Sequence, residues 1–367
     1  MTDALRGLDE ERLEDLVLGA GVLGAGGGGN PYHGRLRLLP YLRAGCCPPV
    51  VAPEEVPDDA LVASVGGMGA PTIGLERLPR GDEELVALRT LEAHLGRAVD
   101  YLIPAEIGGG NAVAPFVTAA QARLPVIDAD GMGRAFPELQ HCTFTIYGVP
   151  CTPAALVDIR HHTALFTRVD DPVSLERLAR ALTVQMGGAA GFAFPVMRGA
   201  DMKRTAVRGT LSLAAAVGAA VREARRRHAD PIAALLHVTG GQALFHGKLH
   251  DVERRFEGGF ARGRLTLEGL EEGRDERLEI ELQNEYLIAR RGGEVVASVP
   301  DLLCLVDRLT AEPVTTEIAR YGLRVSVLGI PAPRLLRTPE ALRFVGPRAF
   351  GYDVDYRPLP GVYGADR

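Results

Sequence analysis

Between residues 61 and 127, short apolar runs alternate with amphipathic helices, and that alternation restricts the chain to few architectures. Residues 61–65 read as a strand, 83–97 as a helix, 99–103 as a strand, 112–123 as a helix and 126–127 as a strand. Strands alternating with helices of this length predict a parallel or mostly parallel sheet. Upstream, residues 9–23 begin with acids and place Leu13, Leu16, Val17 and Ala20 on one helical face. That helix runs into Gly24-Ala25-Gly26-Gly27-Gly28-Gly29. Asn30 then caps a second helix that opens with Pro31, where a missing N–H costs nothing.

The middle is less periodic. Residues 143–147 and 163–169 read as strands, 172–186 and 211–227 as helices, and 232–238 as a helical turn. After Gly240 short β runs at 247–249, 263–267, 278–282, 286–289 and 295–297 follow one another, separated by glycine turns, which predicts a small antiparallel barrel or sandwich. Residues 323–328 form an apolar strand that suits either part. The expected fold is therefore α/β, with a mostly parallel sheet in an N-terminal domain over 1–240 and a mainly antiparallel β domain over 241–334. Residues 335–367 are free to complete the first.

Composition excludes several function classes. A net charge of -6 implies no basic face for nucleic acid. The one basic run, Arg222 to Arg227, falls at the end of a predicted helix, where cations suit the helix dipole. No stretch approaches the roughly 18 apolar residues of a membrane span, and the N-terminus carries no basic or apolar leader pattern. Five cysteines with no CxxC spacing argue for a reducing cytoplasm and against a closed structural zinc site.

The three strands of the first half end in related loops: Gly66-Gly67-Met68-Gly69-Ala70-Pro71, then Pro104-Ala105-Glu106-Ile107-Gly108-Gly109-Gly110-Asn111, then Asp128-Ala129-Asp130-Gly131-Met132-Gly133-Arg134. Ligands of open α/β sheets bind outside the carboxyl ends of strands. One such glycine loop is ordinary, but three in succession carrying Glu106, Asn111, Asp128, Asp130 and Arg134 predict a site. Gly27, Gly28 and Gly29 with Asn30 fit a backbone cradle for an anion or carbonyl, and equally a tight helix–helix corner. The run is neither a Walker loop nor a dinucleotide fingerprint, so no nucleotide is expected. Asp128 and Asp130, two apart, either share a proton, bind a divalent cation, or turn away from each other. Arg134 is either their charge partner or a ligand contact. His246 and His250 lie on one face of a predicted strand and are either satisfied surface histidines or the alternative metal half-site. Cys142 and Cys151 lack a neighbouring base in sequence.

Taken together, LGAGVLGAGGGGNPYHGR (18–35), PAEIGGGNA (104–112), VIDADGMGRAFPELQ (126–140), LFHGKLHDVERRFEGGFARG (244–263), QNEYLIA (283–289) and VGPRAFGYDVDY (345–356) are familiar. The chain resembles the S-methyl thiohydantoin desulfurase domain family over nearly its whole length. The resemblance implies an α/β domain followed by a β domain, and hydrolytic removal of sulfur from position 2 of a five-membered thiohydantoin ring. It carries over Gly26 to Asn30, Glu106, Asn111, Asp128, Asp130, Arg134 and Glu138 as site residues. It departs from the family pattern at His141-Cys142 and His161-His162, which puts the exact substrate in doubt.

The expectation is a hydrolase of a cyclic thioureide or ureide. Asp128 or Asp130 serves as general base or metal ligand, Glu106 as partner acid or ligand, and a divalent metal ion (zinc, as a guess) as cofactor. Asn111, Arg134 and the Gly26–Gly29 amides orient the ring. A homo-oligomer is expected. The alternative is a non-catalytic ligand-binding or partner subunit of a hydantoinase-type assembly.

Overall fold

A computed structural model of the chain describes residues 5, 7–70, 73–270 and 273–366; Pro71, at the end of the first glycine loop, lies outside them. The chain opens with α1 (Glu10–Leu23), capped by Asp9, and α2 (Pro31–Arg43), capped by the Asn30 side chain on Tyr32 N at 2.9 Å. Then come β1 (Val50–Val51), β2 (Leu61–Gly69), α3 (Ile73–Glu76), α4 (Glu83–Leu95), β3 (Tyr101–Pro104), α5 (Ala114–Ala122), β4 (Val126–Ile127) and β5 (Ala129–Asp130). The middle holds α6 (Thr143–Ile146), β6 (Ala154–Val157), β7 (Thr163–Phe166), α7 (Pro172–Gln185), β8 (Ala189–Arg198), α8 (Gly199–Thr205), β9 (Val207–Arg208), α9 (Thr210–Arg226) and α10 (Pro231–Thr239). The remainder is β10 (Gln242–Glu257), β11 (Phe260–Gly269), β12 (Arg277–Gln283), β13 (Glu285–Arg291), β14 (Glu294–Ser298), β15 (Leu302–Asp307), β16 (Arg324–Ile330) and α11 (Pro339–Val345).

The first sheet has the order β1-β4-β3-β2-β8-β6-β7: the first four strands run parallel and the last three antiparallel. The second sheet, β14-β13-β12-β11-β10-β16-β15, is antiparallel throughout, so the α/β-plus-antiparallel-β expectation holds. β5 pairs with β9 in a separate ribbon. Among the described residues no helix is long and apolar enough to cross a membrane.

Several elements, β6, β8, β15 and α11 among them, went unread in the sequence, and one segment was read in the wrong class. Residues 143–146 are helical, not extended: the Gly131 carbonyl accepts both Thr143 N (2.6 Å) and Thr143 Oγ1 (2.8 Å), pinning the segment into a turn with Phe144 and Ile146 both buried. β8 went unread because Ala, Gly and Pro imitate a loop, and a strand buried on both faces needs no alternation. Its Pro195 sits where the β2–β8 register shifts, so the missing N–H breaks no ladder bond.

α1 and α9 pack so closely that a β-carbon at Gly19 would lie 1.9 Å from Ala214 O, and one at Gly218 2.0 Å from Asp15 O. Arg222 clamps the same pair through Asp15, with two bonds of 2.8 Å. Arg225 pairs with Glu312, and Arg226 and Arg227 with Glu223, so the basic run is paired with acids at a helix end. This helical pair shares one apolar cluster with Ala63 and Val65 of β2 and with Leu302, Cys304, Leu328 and Ile330 of the second sheet. The packing therefore holds the carboxyl ends of β2 and β3 close to the start of β13.

Candidate functional site

A cavity of about 240 Å³ opens where these elements meet. Its walls include Gly28, Gly29, Gly67, Glu106, Asn111, Glu138, Arg180 and Glu285. The glycine run forms one wall because side chains do not fit there. A β-carbon at Gly27 would lie 1.9 Å from Glu285 Oε1, and one at Gly28 would lie 2.3 Å from Gly108 O. Gly28 and Gly29 hold φ of +78° and +80°, the left-handed region that glycine enters without strain. Their carbonyls accept the N–H groups of Asn111 and Gly110, each at 3.1 Å, which laces the run to the second loop. Among the described residues nothing accepts from Gly28 N or Gly29 N. The run is thus a close-packed corner, and the N–H groups of Gly28 and Gly29, two residues of the cavity wall, are left without acceptors among the described residues.

Asn111 is fixed by β2: Gly67 N donates to its Oδ1 at 2.7 Å and its Nδ2 donates to Gly67 O at 3.1 Å. The same Nδ2 donates to Glu106 Oε1 at 2.6 Å, and Phe136 N donates to Glu106 Oε2 at 3.1 Å. Burial pushes the Glu106 carboxyl up to about 7; those two bonds and Arg134 pull it down, and the Asp130 charge adds to the rise. Glu285, first residue of β13, is equally buried, and its Oε2 has no hydrogen-bond partner. Its pKa stands well above the ordinary carboxylate range, through burial first and then the charge of Glu106. Glu106 thus has donors that stabilise its charged form, whereas burial and the Glu106 charge favour the protonated form of Glu285. Glu138 completes the acidic wall, accepting from Gln283 Nε2 at 2.9 Å and from Gln140 Nε2.

Among the predicted site residues, Gly26 and Gly27 are buried and do not line the cavity, and neither do the side chains of Asp128, Asp130 and Arg134. Asp128 ends below α9, where Ser212 N donates to Oδ1 at 3.0 Å and Ser212 Oγ to Oδ2 at 2.5 Å; it caps that helix. Asp130 Oδ2 collects three backbone N–H bonds, from Ile107 (2.9 Å), Met132 (2.9 Å) and Gly133 (2.7 Å). It ties the second loop to the third, and burial raises its carboxyl to about 7. Arg134 is fully buried and donates to the carbonyls of Ala135 (2.9 Å), Asp301 (2.7 Å) and Tyr286 (3.1 Å), bolting the third loop to the second sheet. Burial lowers its pKa to about 10. Asp128 and Asp130 thus turn to different partners and make no ligand pair. His246 bonds Ser326 Oγ at 2.8 Å and His250 faces Glu268 Oε1 at 3.2 Å, on the two strands that flank β10. Among the described residues, no three His, Cys, Asp or Glu side chains form a group able to hold a metal ion. The donor sets expected for zinc do not fit one.

Sequence reasoning missed two cavity residues, Glu285 and Arg180, each of which leaves a local signal without a place in the fold. Glu285 opens the otherwise apolar EYLIA strand, and a charge at the head of a buried strand requires an explanation. Arg180 and Glu176 form an i,i+4 pair on α7 beside the buried stripe of Leu175 and Ala179, not opposite it. His141, the departure noted above, is neutral imidazole: burial takes its pKa down to about 4, between Phe136 and Phe350. Burial likewise pushes the Cys142 thiol above its usual range, so it is no nucleophile.

Sequence models of the N-terminal and C-terminal domains described as S-Me-THD-like match residues 11–168 and 170–359. The crystal structure of a protein from Chromobacterium violaceum is similar to the chain at 26% identity and a TM-score of 0.77, covering 96% of this chain and 99% of that one. No protein of curated function matches.

Proposed function

Since the chain belongs to the S-Me-THD-like family, we propose that it hydrolyses the carbon–sulfur bond at C2 of an S-methyl thiohydantoin or related cyclic thioureide. The observation that carries this reading is the buried Glu106–Glu285 pair on one cavity wall, one carboxylate furnished with donors and the other with an unpartnered oxygen. Ionised Glu106 takes a proton from water as its oxygen bonds to C2, while protonated Glu285 gives its proton to the adjacent ring nitrogen. The tetrahedral carbon then collapses. Glu285 recovers a proton from the new C2 hydroxyl, the C–S bond breaks, and Glu106 returns its proton to the departing sulfur. One water is consumed, the ring becomes a hydantoin, methanethiol leaves, and both carboxyls regain their starting states. Asn111 aims Glu106, and the free N–H groups of Gly28 and Gly29 supply donors for the polar edge of the ring.

Thiol release from S-methyl thiohydantoin, read with a thiol reagent while hydantoin is quantified by chromatography, tests this. Turnover by the wild type, reduced at least 100-fold in both Glu106→Gln and Glu285→Gln with folding intact, is expected. No thiol release from any S-methyl thiohydantoin or thiohydantoin, or full turnover in both variants, overturns it. A ligand-binding subunit would bind the ring and give no product.

A further inference from the structure

We propose that Arg180 is a ligand-binding residue whose Nη1 donates to the exocyclic C4 oxygen, one ring nitrogen removed from the reacting carbon, selecting rings that carry a C4 carbonyl. The inference rests on the ring-hydrolysis reading above and adds what the substrate must present. Arg180 lines the cavity and is only 7% exposed. Two of its three nitrogens are spent: Nε donates to Glu176 Oε1 and Nη2 to Pro137 O, both at 2.7 Å. Its guanidinium carbon lies 4.4 Å from the centroid of the Phe260 ring, and Leu139 N holds the other oxygen of Glu176 at 3.0 Å. These contacts leave the fork no freedom to turn, and Nη1 is buried without a partner. A buried donor left unpaired is costly, and a charged one more so, unless a ligand completes it.

The chemistry of the wall narrows what that ligand group can be. Glu285 stands within the electrostatic reach of Arg180 and has its own unpartnered Oε2. An unpaired cationic donor beside an unpaired carboxyl matches an edge that presents an acceptor oxygen next to a ring nitrogen. That is the C4 oxygen and N3 of a hydantoin or thiohydantoin, with N3 the ring nitrogen that takes the Glu285 proton. A simple cyclic urea or thiourea lacks that oxygen and would leave Nη1 unsatisfied.

Calorimetric titration of the full chain with hydantoin and with 2-imidazolidinone, the same ring without the C4 oxygen, separates the possibilities. The wild type is expected to bind hydantoin roughly 10- to 100-fold more tightly. In Arg180→Lys, which keeps the charge and loses the planar fork, the ratio should fall to within about 3-fold. If Arg180→Lys does not fold, Glu176→Gln, which loosens the same fork, should reduce the ratio instead. Equal wild-type affinity for the two rings overturns the proposal, as does an undiminished ratio in the folded Arg180→Lys variant. Binding of neither ring by the wild type overturns this inference, while the ring-hydrolysis reading is decided separately by thiol release from S-methyl thiohydantoin. A hydantoin preference that depends on Arg180 in a protein without thiohydantoin turnover upholds this inference and sinks hydrolysis alone.

Discussion

Asp130→Asn is the most informative single change, because the structure assigns Asp130 to architecture where its sequence motif suggested chemistry. Burial raises the Asp130 carboxyl from 3.8 to about 7. The folded protein therefore holds this proton to higher pH than the unfolded chain does. Its contribution to stability is fully present below pH 3.8 and is lost as pH rises through 7. The gap is roughly three pH units, and at about 1.36 kcal/mol per unit the ionised carboxylate costs the fold on the order of 4 kcal/mol at pH 8. Asparagine removes that cost while its amide oxygen still accepts from Ile107, Met132 and Gly133. Its new N–H replaces Oδ1 beside the Thr210 hydroxyl, and neither of those two oxygens now has a partner. Urea unfolding from pH 4 to pH 8 should show the variant more stable by about 1–4 kcal/mol at pH 8, with the gain vanishing near pH 4. Glu106 titrates in both proteins, so most of its own pH dependence cancels in the difference. The Asp130 charge is also one of the causes holding Glu106 up, so the variant's pH–rate profile should move slightly toward acid. Parallel stability curves for the two proteins would refute the buried-charge account, and loss of turnover in a folded Asp130→Asn would return this residue to the chemistry.

Three further outcomes follow from the same geometry. With Glu106 as base, wild-type turnover should rise with pH through about 7 and plateau above it; a profile flat from pH 5 to 9 would remove Glu106 from that role. Gly28→Ala should cost at least about 2 kcal/mol, because its β-carbon would strike Gly108 O, whereas at Gly29→Ala nothing lies within 4 Å and the cost is about 1 kcal/mol of left-handed strain; equal melting temperatures would contradict the corner packing. Asp128→Ala should lower stability by about 1–3 kcal/mol by uncapping α9 and stranding Ser212; hydrogen exchange should localise the loss to the first turn of that helix, and a uniform or absent effect would argue against the cap.

What the sequence determined was whatever depends on neighbours along the chain. Asn30-Pro31 starts α2 because a side-chain acceptor and a proline that needs no donor are the local chemistry of a helix N-terminus. The strand–helix alternation after residue 60 fixes the parallel half of the first sheet, and the glycine-spaced β runs after 240 fix the antiparallel one. Glu106 and Asn111 were readable as site residues because both sit on one strand-end loop, and a hydrogen bond joins them across five positions. Asp128 and Asp130 were not separable from them by sequence, since an aspartate in a loop looks the same whether it meets a ligand or backbone N–H groups. Only the fold decided that one caps a helix 84 residues away and the other ties two loops together. The same holds for the other half of the cavity. Glu285 and Arg180 come from a strand and a helix far along the chain, and no local pattern encodes the close packing of α1, α9 and the second sheet that sets Glu285 beside the glycine run. A buried charge acquires its pKa from everything that excludes water around it, and that exclusion exists only once the layers have closed.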